Sequence, residues 1–111
     1  AMATPLGELH FHHGTLIGIL LPHILRFNKG YADAAFDDLR HAMGVPLATD
    51  LDDWMTGFVA GIGLPTTLST LGVQQAVLPS IAEKAARDHL SATNPRPADA
   101  RDYLQLLSDA M

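Results

Sequence analysis

Cysteine is absent from the 111 residues, which excludes a disulfide framework and any thiolate metal site and suits a reducing compartment, so the expected localisation is the cytoplasm. Charge is sparse as well: 17% of residues are charged, with seven Lys and Arg against twelve Asp and Glu and a formal net charge of −5. Seven scattered cations form no stripe that could neutralise a phosphate backbone, and no nucleic-acid partner is expected. Long hydrophobic runs are also missing. The longest, residues 16–25, is broken by Gly18, Pro22 and His23 and falls well short of the ~20 residues of a membrane-spanning helix. No membrane partner is expected. There is no basic region leading into a hydrophobic stretch and a small-residue cleavage site, as a secretory signal requires, and Ala1 to Ala3 read as a cut edge. Without a glycine-rich phosphate loop, dinucleotide binding has no local basis.

What is present is material for a core: 48% of the chain is hydrophobic, and apolar residues recur at helical spacing while alternating Val, Ile and Thr runs do not appear. The expected fold is all-α, a multi-helix bundle forming a single helical domain over residues 1–111. A loop carrying Pro5 and Gly7 leads to a helix over 15–28, apolar on almost every side as in the middle of a core, which Pro22 must kink or restart. A second helix, 31–43, turns Ala32, Ala35, Phe36, Leu39 and Met43 to one face and stops at Gly44. Thr49 or Asp50 caps a third, running to Gly61, with Leu51, Trp54, Phe58 and Ile62 inward and Trp54 as its anchor. A turn of helix over 66–71 ends at Gly72. A helix over 74–90 carries Val77, Leu78, Ile81, Ala82 and Ala85 inward. Asn94-Pro95-Arg96-Pro97 breaks the chain, and the last helix, 98–110, buries Tyr103, Leu104, Leu106 and Leu107.

One local cluster has the residue types of a ligand set: His10, His12 and His13 before the start of a helix. Imidazole nitrogens suit zinc, iron, nickel or copper, but a complete site takes about four donors. The cluster therefore reads either as a polar loop or as part of a site. Gly14 lets the backbone turn tightly into the helix and leaves the His13 ring projecting from a rigid start, which makes His13 the best single candidate. His23 reads as packed or cleft-lining, His41 and His89 as solvated, and Arg26 as one arm of a structural ion pair. Asp37-Asp38 and Asp52-Asp53 are adjacent in sequence, so their side chains diverge on a helix and read as solvated faces.

Pro5-Leu6-Gly7, His13-Gly14-Thr15-Leu16, Leu20-Leu21-Pro22-His23 and Leu25-Arg26-Phe27-Asn28, followed by Gly63-Leu64-Pro65-Thr66, Leu71-Gly72-Val73 and Asn94-Pro95-Arg96-Pro97, occur in an ordered set. Together they resemble the end of the iron-containing alcohol dehydrogenase family, within the dehydroquinate synthase-like superfamily. Each motif is weak alone; the order is specific and spans essentially the whole chain. The resemblance implies the C-terminal helical domain of an oxidoreductase that joins it to an N-terminal nucleotide-binding domain. It implies a divalent metal, iron or zinc, held in the cleft by one Asp and three His, and NAD(P) as the hydride carrier. His13 matches the last of the three His ligands. The Asp and the first His are expected upstream, and the middle His immediately before Ala1. Thr4 stands where the family commonly has a His near the nicotinamide, and Thr cannot relay a proton near neutral pH as imidazole can. The expectation is a chain that contributes His13 to a metal site, binds neither metal nor NAD(P) tightly alone and does not turn over. Its partner would be the missing N-terminal domain or further copies of itself. The competing expectation is a stand-alone helical module that self-associates through apolar surface.

Overall fold

The computed structural model describes residues 1–111 and contains helices and no strand. The elements are α1 (Ala3–Gly7), α2 (His13–Phe27), α3 (Asp33–Met43), α4 (Leu51–Gly61), α5 (Leu68–Leu71), α6 (Leu78–Arg87) and α7 (Ala100–Asp109), with 3-10 turns at Gln75–Val77 and His89–Thr93. Helix α2 lies at the centre, against α1, α4 and α7, while α6 pairs with α7 and touches α1. That position explains its composition: Leu16, Ile19, Leu20 and Leu25 are all buried, and a helix surrounded by others has little use for a polar face. The main core gathers Leu6, Leu16, Ile19, Leu68, Leu78 and Leu107, each essentially inaccessible. Side chains of this size contribute about 1.5–3 kcal/mol each when fully buried. A satellite core of Leu25, Phe36 and Leu51 holds α3 and the start of α4 to the far end of α2.

The helices stop where local chemistry stops them. Gly72 closes α5 at φ +101°, and the Val73 amide behind it donates to the Leu68 carbonyl at 3.0 Å. Only a residue without Cβ takes that left-handed turn cheaply. The Leu68 amide in turn donates to the Ala110 carbonyl at 2.7 Å, tying α5 to the end of α7. Asp99 and Asp102 form a reciprocal capping box at the start of α7, each side chain accepting from the other's amide at 3.0 Å. This fixes the helix start that the two prolines before it leave free. The accepted amide hydrogen bond holds the Asp99 carboxyl below its ordinary value.

Several expectations are corrected. Residues 3–7 form a helix instead of a loop, because Pro5 stands in a first turn whose N–H groups need no helical acceptor and Met2, Ala3 and Leu6 bury into the main core. Of the two expectations for Pro22, the restart is overturned: α2 runs through it as one helix, with Pro22 buried inside. The helix expected over 74–90 is divided: Asp88 takes an extended conformation after Arg87 and caps the following 3-10 turn by accepting from the Leu90 amide at 2.8 Å. Of the face expected on α3 only Phe36 is buried, while Leu39 and Met43 stay exposed. The largest departure is α4, whose buried residues are Leu51, Asp52 and Val59. Trp54 is half-buried and stacks at 5.3 Å on Phe58, which is 50% exposed, and Ile62 is 57% exposed. The reason is the approach of α2, where Gly18 faces the Val59 methyls and draws that side of α4 inward.

Candidate functional site

The start of α2 assigns different tasks to the three histidines. His12 is the N-cap, in an extended conformation, and its Nδ1 accepts from the Thr15 amide at 3.3 Å and lies 3.2 Å from the Thr15 hydroxyl. One orphan donor of the helix end is thereby satisfied, and that ring nitrogen is committed to structure. His10 adopts φ +70°, uncommon for a residue with a side chain. His13 opens the helix and is exposed. Gly14 has a reason other than a tight turn: it is an ordinary helical residue, and a Cβ there would stand 3.2 Å from His12 Cε1. The glycine leaves room for the capping ring.

These rings do not converge. The group of three potential metal ligands whose donor atoms lie within 4.8 Å of one another is Asp50, Asp52 and Asp53, and two cations already hold it. Arg26 Nε donates to Asp52 Oδ2 at 2.8 Å and its guanidinium lies 3.6 Å from Asp53, while Lys29 Nζ lies 3.0 Å from Asp52 Oδ1 and 3.3 Å from Asp50. The Lys29 contact is ionic without the alignment of a hydrogen bond, so Oδ1 is buried with no directional partner. Burial works against the charged form of Asp52, but the Lys29 ammonium and the Arg26 guanidinium outweigh it and hold the carboxyl below its usual value. Asp52, expected on a solvated face, is thus the buried centre of a clamp between the end of α2 and the start of α4. Arg26 forms the structural ion pair expected of it. A complete metal site takes about four donors, and the histidines at the start of α2 do not supply them.

Along α2, from Ile17 to Phe27, lies a half-open cavity of about 170 Å³, lined by thirteen residues of which twelve are hydrophobic. Met2 and Ala3 form one wall, Ile17, Leu20 and Ile24 of α2 another, and Leu90 and Tyr103 the far side. Ile17 follows His13 by one helical turn and shares its face. The one polar liner, Asn94, is consumed: its amide donates to Asn28 Oδ1 at 2.8 Å and to the Arg96 carbonyl at 2.6 Å, and its Oδ1 accepts from Asn28 at 2.9 Å. The Tyr103 hydroxyl is paired with Ser91 at 2.6 Å. Arg96 completes the frame, donating to the Phe27 carbonyl at 3.1 Å with its guanidinium 4.0 Å over the Phe27 ring. Nothing in the spacing of the chain points to this cavity. The only signal is that Asn28 ends one short motif and Asn94 opens another 66 residues on.

The other histidines behave as expected. His23 is half-buried in a mixed-charge recess with Arg26, Arg96, Asp102 and Asp109, and burial first, then Arg26, lowers its pKa. His41 and His89 are exposed. Thr4 is exposed on α1.

A family model described as Fe-containing alcohol dehydrogenase family, C-terminal, matches residues 1–111. The chain belongs to this family. Among curated relatives, this alcohol dehydrogenase-family chain is 35% identical over 109 residues to 4-hydroxybutyrate dehydrogenase of Cupriavidus necator, covering 95% of the chain and 28% of that protein. It is 30% identical over 118 residues to lactaldehyde reductase of Escherichia coli (strain K12), covering 98% of the chain and 31% of the relative. Among solved structures it superposes on 1,3-propanediol oxidoreductase with a TM-score of 0.90 at 29% identity, over 99% of this chain and 31% of that one. The chain therefore spans less than a third of the relatives it matches. The helical arrangement is that of the family's C-terminal domain, and no helix is long and apolar enough to cross a membrane.

Proposed function

We propose that this chain is the metal-site-contributing part of an NAD(P)-dependent alcohol dehydrogenase and that His13 is its ligand. The observation that carries the reading is the placing of His13: an exposed imidazole at the rigid start of α2, one turn before the cavity wall at Ile17, on a chain of this family. When bound, a divalent metal, iron or zinc, supplies Lewis-acid polarisation of an alcohol or carbonyl oxygen. What the chain itself does is simpler. His13 offers an imidazole nitrogen, His12 and Gly14 hold the helix start on which it sits, and the apolar wall beyond Ile17 excludes water from the carbon skeleton. Thr4, in place of a titratable group, leaves proton transfer to another residue or to solvent. One imidazole binds a metal weakly, so the chain by itself performs no hydride transfer and awaits donors and a nucleotide site from another domain, in the cytoplasm.

The test is a titration of the purified chain with zinc followed through the six His ring resonances, alongside an assay of NADH-dependent aldehyde reduction. The expected result is a selective, weak response of His13 and no turnover. Equal responses at His10, His12 and His13 would favour a local cluster and overturn the single-ligand reading, as would silence at His13; turnover would overturn inactivity.

A second reading, self-association, is favoured by the number of large apolar side chains left exposed: Leu39, Met43 and Leu47 around the end of α3, Phe58 on α4 and Ile62 just after it. Patches of this kind seldom stay uncovered in monomers. Light scattering at rising concentration should then report a dimer or larger, and a clean monomer would remove this reading.

A further inference from the structure

We infer that the cavity beside α2 binds an alkyl group of about six carbons and rejects one that carries a second hydroxyl at its inner end. The inference deepens the dehydrogenase reading and rests on it only for the placing of the oxygen at the mouth near His13.

The volume sets the size. At about 170 Å³ the cavity matches apolar cavities of about 150 Å³ that take up six-carbon molecules such as benzene. The lining sets the chemistry, because the side-chain polar groups at the wall are already paired. Both amide hydrogens of Asn94 are engaged by Asn28 and the Arg96 carbonyl, and the Tyr103 hydroxyl is held by Ser91. The remaining walls are mainly hydrocarbon. A buried polar group without a hydrogen bond is costly, whereas each buried methylene is favourable. A site built in this way discriminates by what it leaves unpaired. Orientation follows from the walls: Met2, Leu20 and Leu106 are buried, whereas Ile17 and Leu90 are the exposed liners and form the mouth. The polar head of a ligand therefore sits beside Ile17, on the side of His13, and the chain runs inward toward Leu20 and Leu106.

The experiment is methyl NMR on the 111-residue chain with 1-butanol, 1-hexanol, 1-octanol and 1,6-hexanediol. Saturable shifts are expected at Ile17, Leu20, Ile24 and Leu90, with dissociation constants falling two- to fourfold per methylene from butanol to hexanol and levelling by octanol. Hexanediol should bind at least about tenfold more weakly than hexanol. Ile17→Trp, at the exposed mouth where folding is not at stake, should weaken hexanol by about tenfold or more, while Asp38→Trp on the exposed face of α3 should not change it. Equal affinity for hexanol and hexanediol, shifts that do not saturate, or indifference to Ile17→Trp would overturn the inference. The zinc response of His13 is read separately. Alkyl binding without it removes the metal-ligand reading alone, and the metal response without alkyl binding removes this inference alone.

Discussion

A Cβ on Gly14 would stand 3.2 Å from Cε1 and 3.5 Å from Nδ1 of His12, the ring that caps the helix carrying His13. The two residues share one space, and the glycine yields it. Gly18, one turn on, faces only the Val59 methyls at 3.7 Å, an ordinary contact. Gly18→Ala should therefore gain about 0.5–1 kcal/mol from helix propensity. Gly14→Ala should gain less or lose stability, because it disturbs a cap that contributes about 1 kcal/mol. Urea denaturation of the two variants decides the matter, and equal gains would show that the His12 cap carries no weight.

The Arg26–Asp52–Lys29 clamp predicts an acid-dependent stability. Asp52 has its pKa held below the ordinary carboxylate value, so its contribution is present above the unfolded value of about 3.9 and is lost as pH falls through the lower folded value. Asp52→Asn should cost about 1–3 kcal/mol at pH 7, toward the low end for a broken buried pair because Arg26 and Lys29 are half-exposed and rehydrate. The difference from the parent should shrink below about pH 4. Denaturation curves at pH 7, 4 and 3 measure it, and a difference unchanged at pH 3 would mean that packing, not charge, sets the cost.

The reciprocal amides of Asn28, which is buried, and Asn94, which is partly buried, form a mutual pair, and they join the end of α2 to the Asn-Pro-Arg-Pro segment. Removing either side should cost about 1–3 kcal/mol by stranding the other. The double variant Asn28→Ala, Asn94→Ala should cost less than the sum, with a coupling of about 0.5–2 kcal/mol. Strict additivity would contradict direct pairing.

The two aromatic positions Phe36 and Phe58 should separate cleanly. Phe36 is 7% exposed in the satellite core and Phe58 is 50% exposed. Phe36→Ala should cost about 3 kcal/mol or more, and Phe58→Ala about 0.5–1.5 kcal/mol, the worth of its stacking on Trp54. The same Phe58 variant should change the emission of Trp54, the single tryptophan. A Phe58→Ala cost equal to that of Phe36→Ala would place Phe58 in an interface.

Much of this was legible from local rules. Helical spacing gave the fold class and most elements, the left-handed glycines at 44 and 72 marked helix ends, and the inner face of α6 lies where its periodicity puts it, at Leu78, Ile81, Ala82 and Ala85. The family was legible in the order of short motifs. What the periodicity of α4 could not reveal is which side of the helix faces inward: its apolar and acidic residues allow either rotation, and the choice fell to Gly18 and Val59 on one side and to Arg26 and Lys29 drawing in Asp52 on the other. The cavity is of the same kind, since it exists only where α1, α2, α7 and the His89–Thr93 turn meet. Periodicity, caps and turns are energies within one stretch of chain and are written in the sequence. Burial of a carboxylate and the shape of a void depend on groups far apart in the chain, from Lys29 and Asp52 to Met2 and Leu106, whose meeting only the packed structure decides.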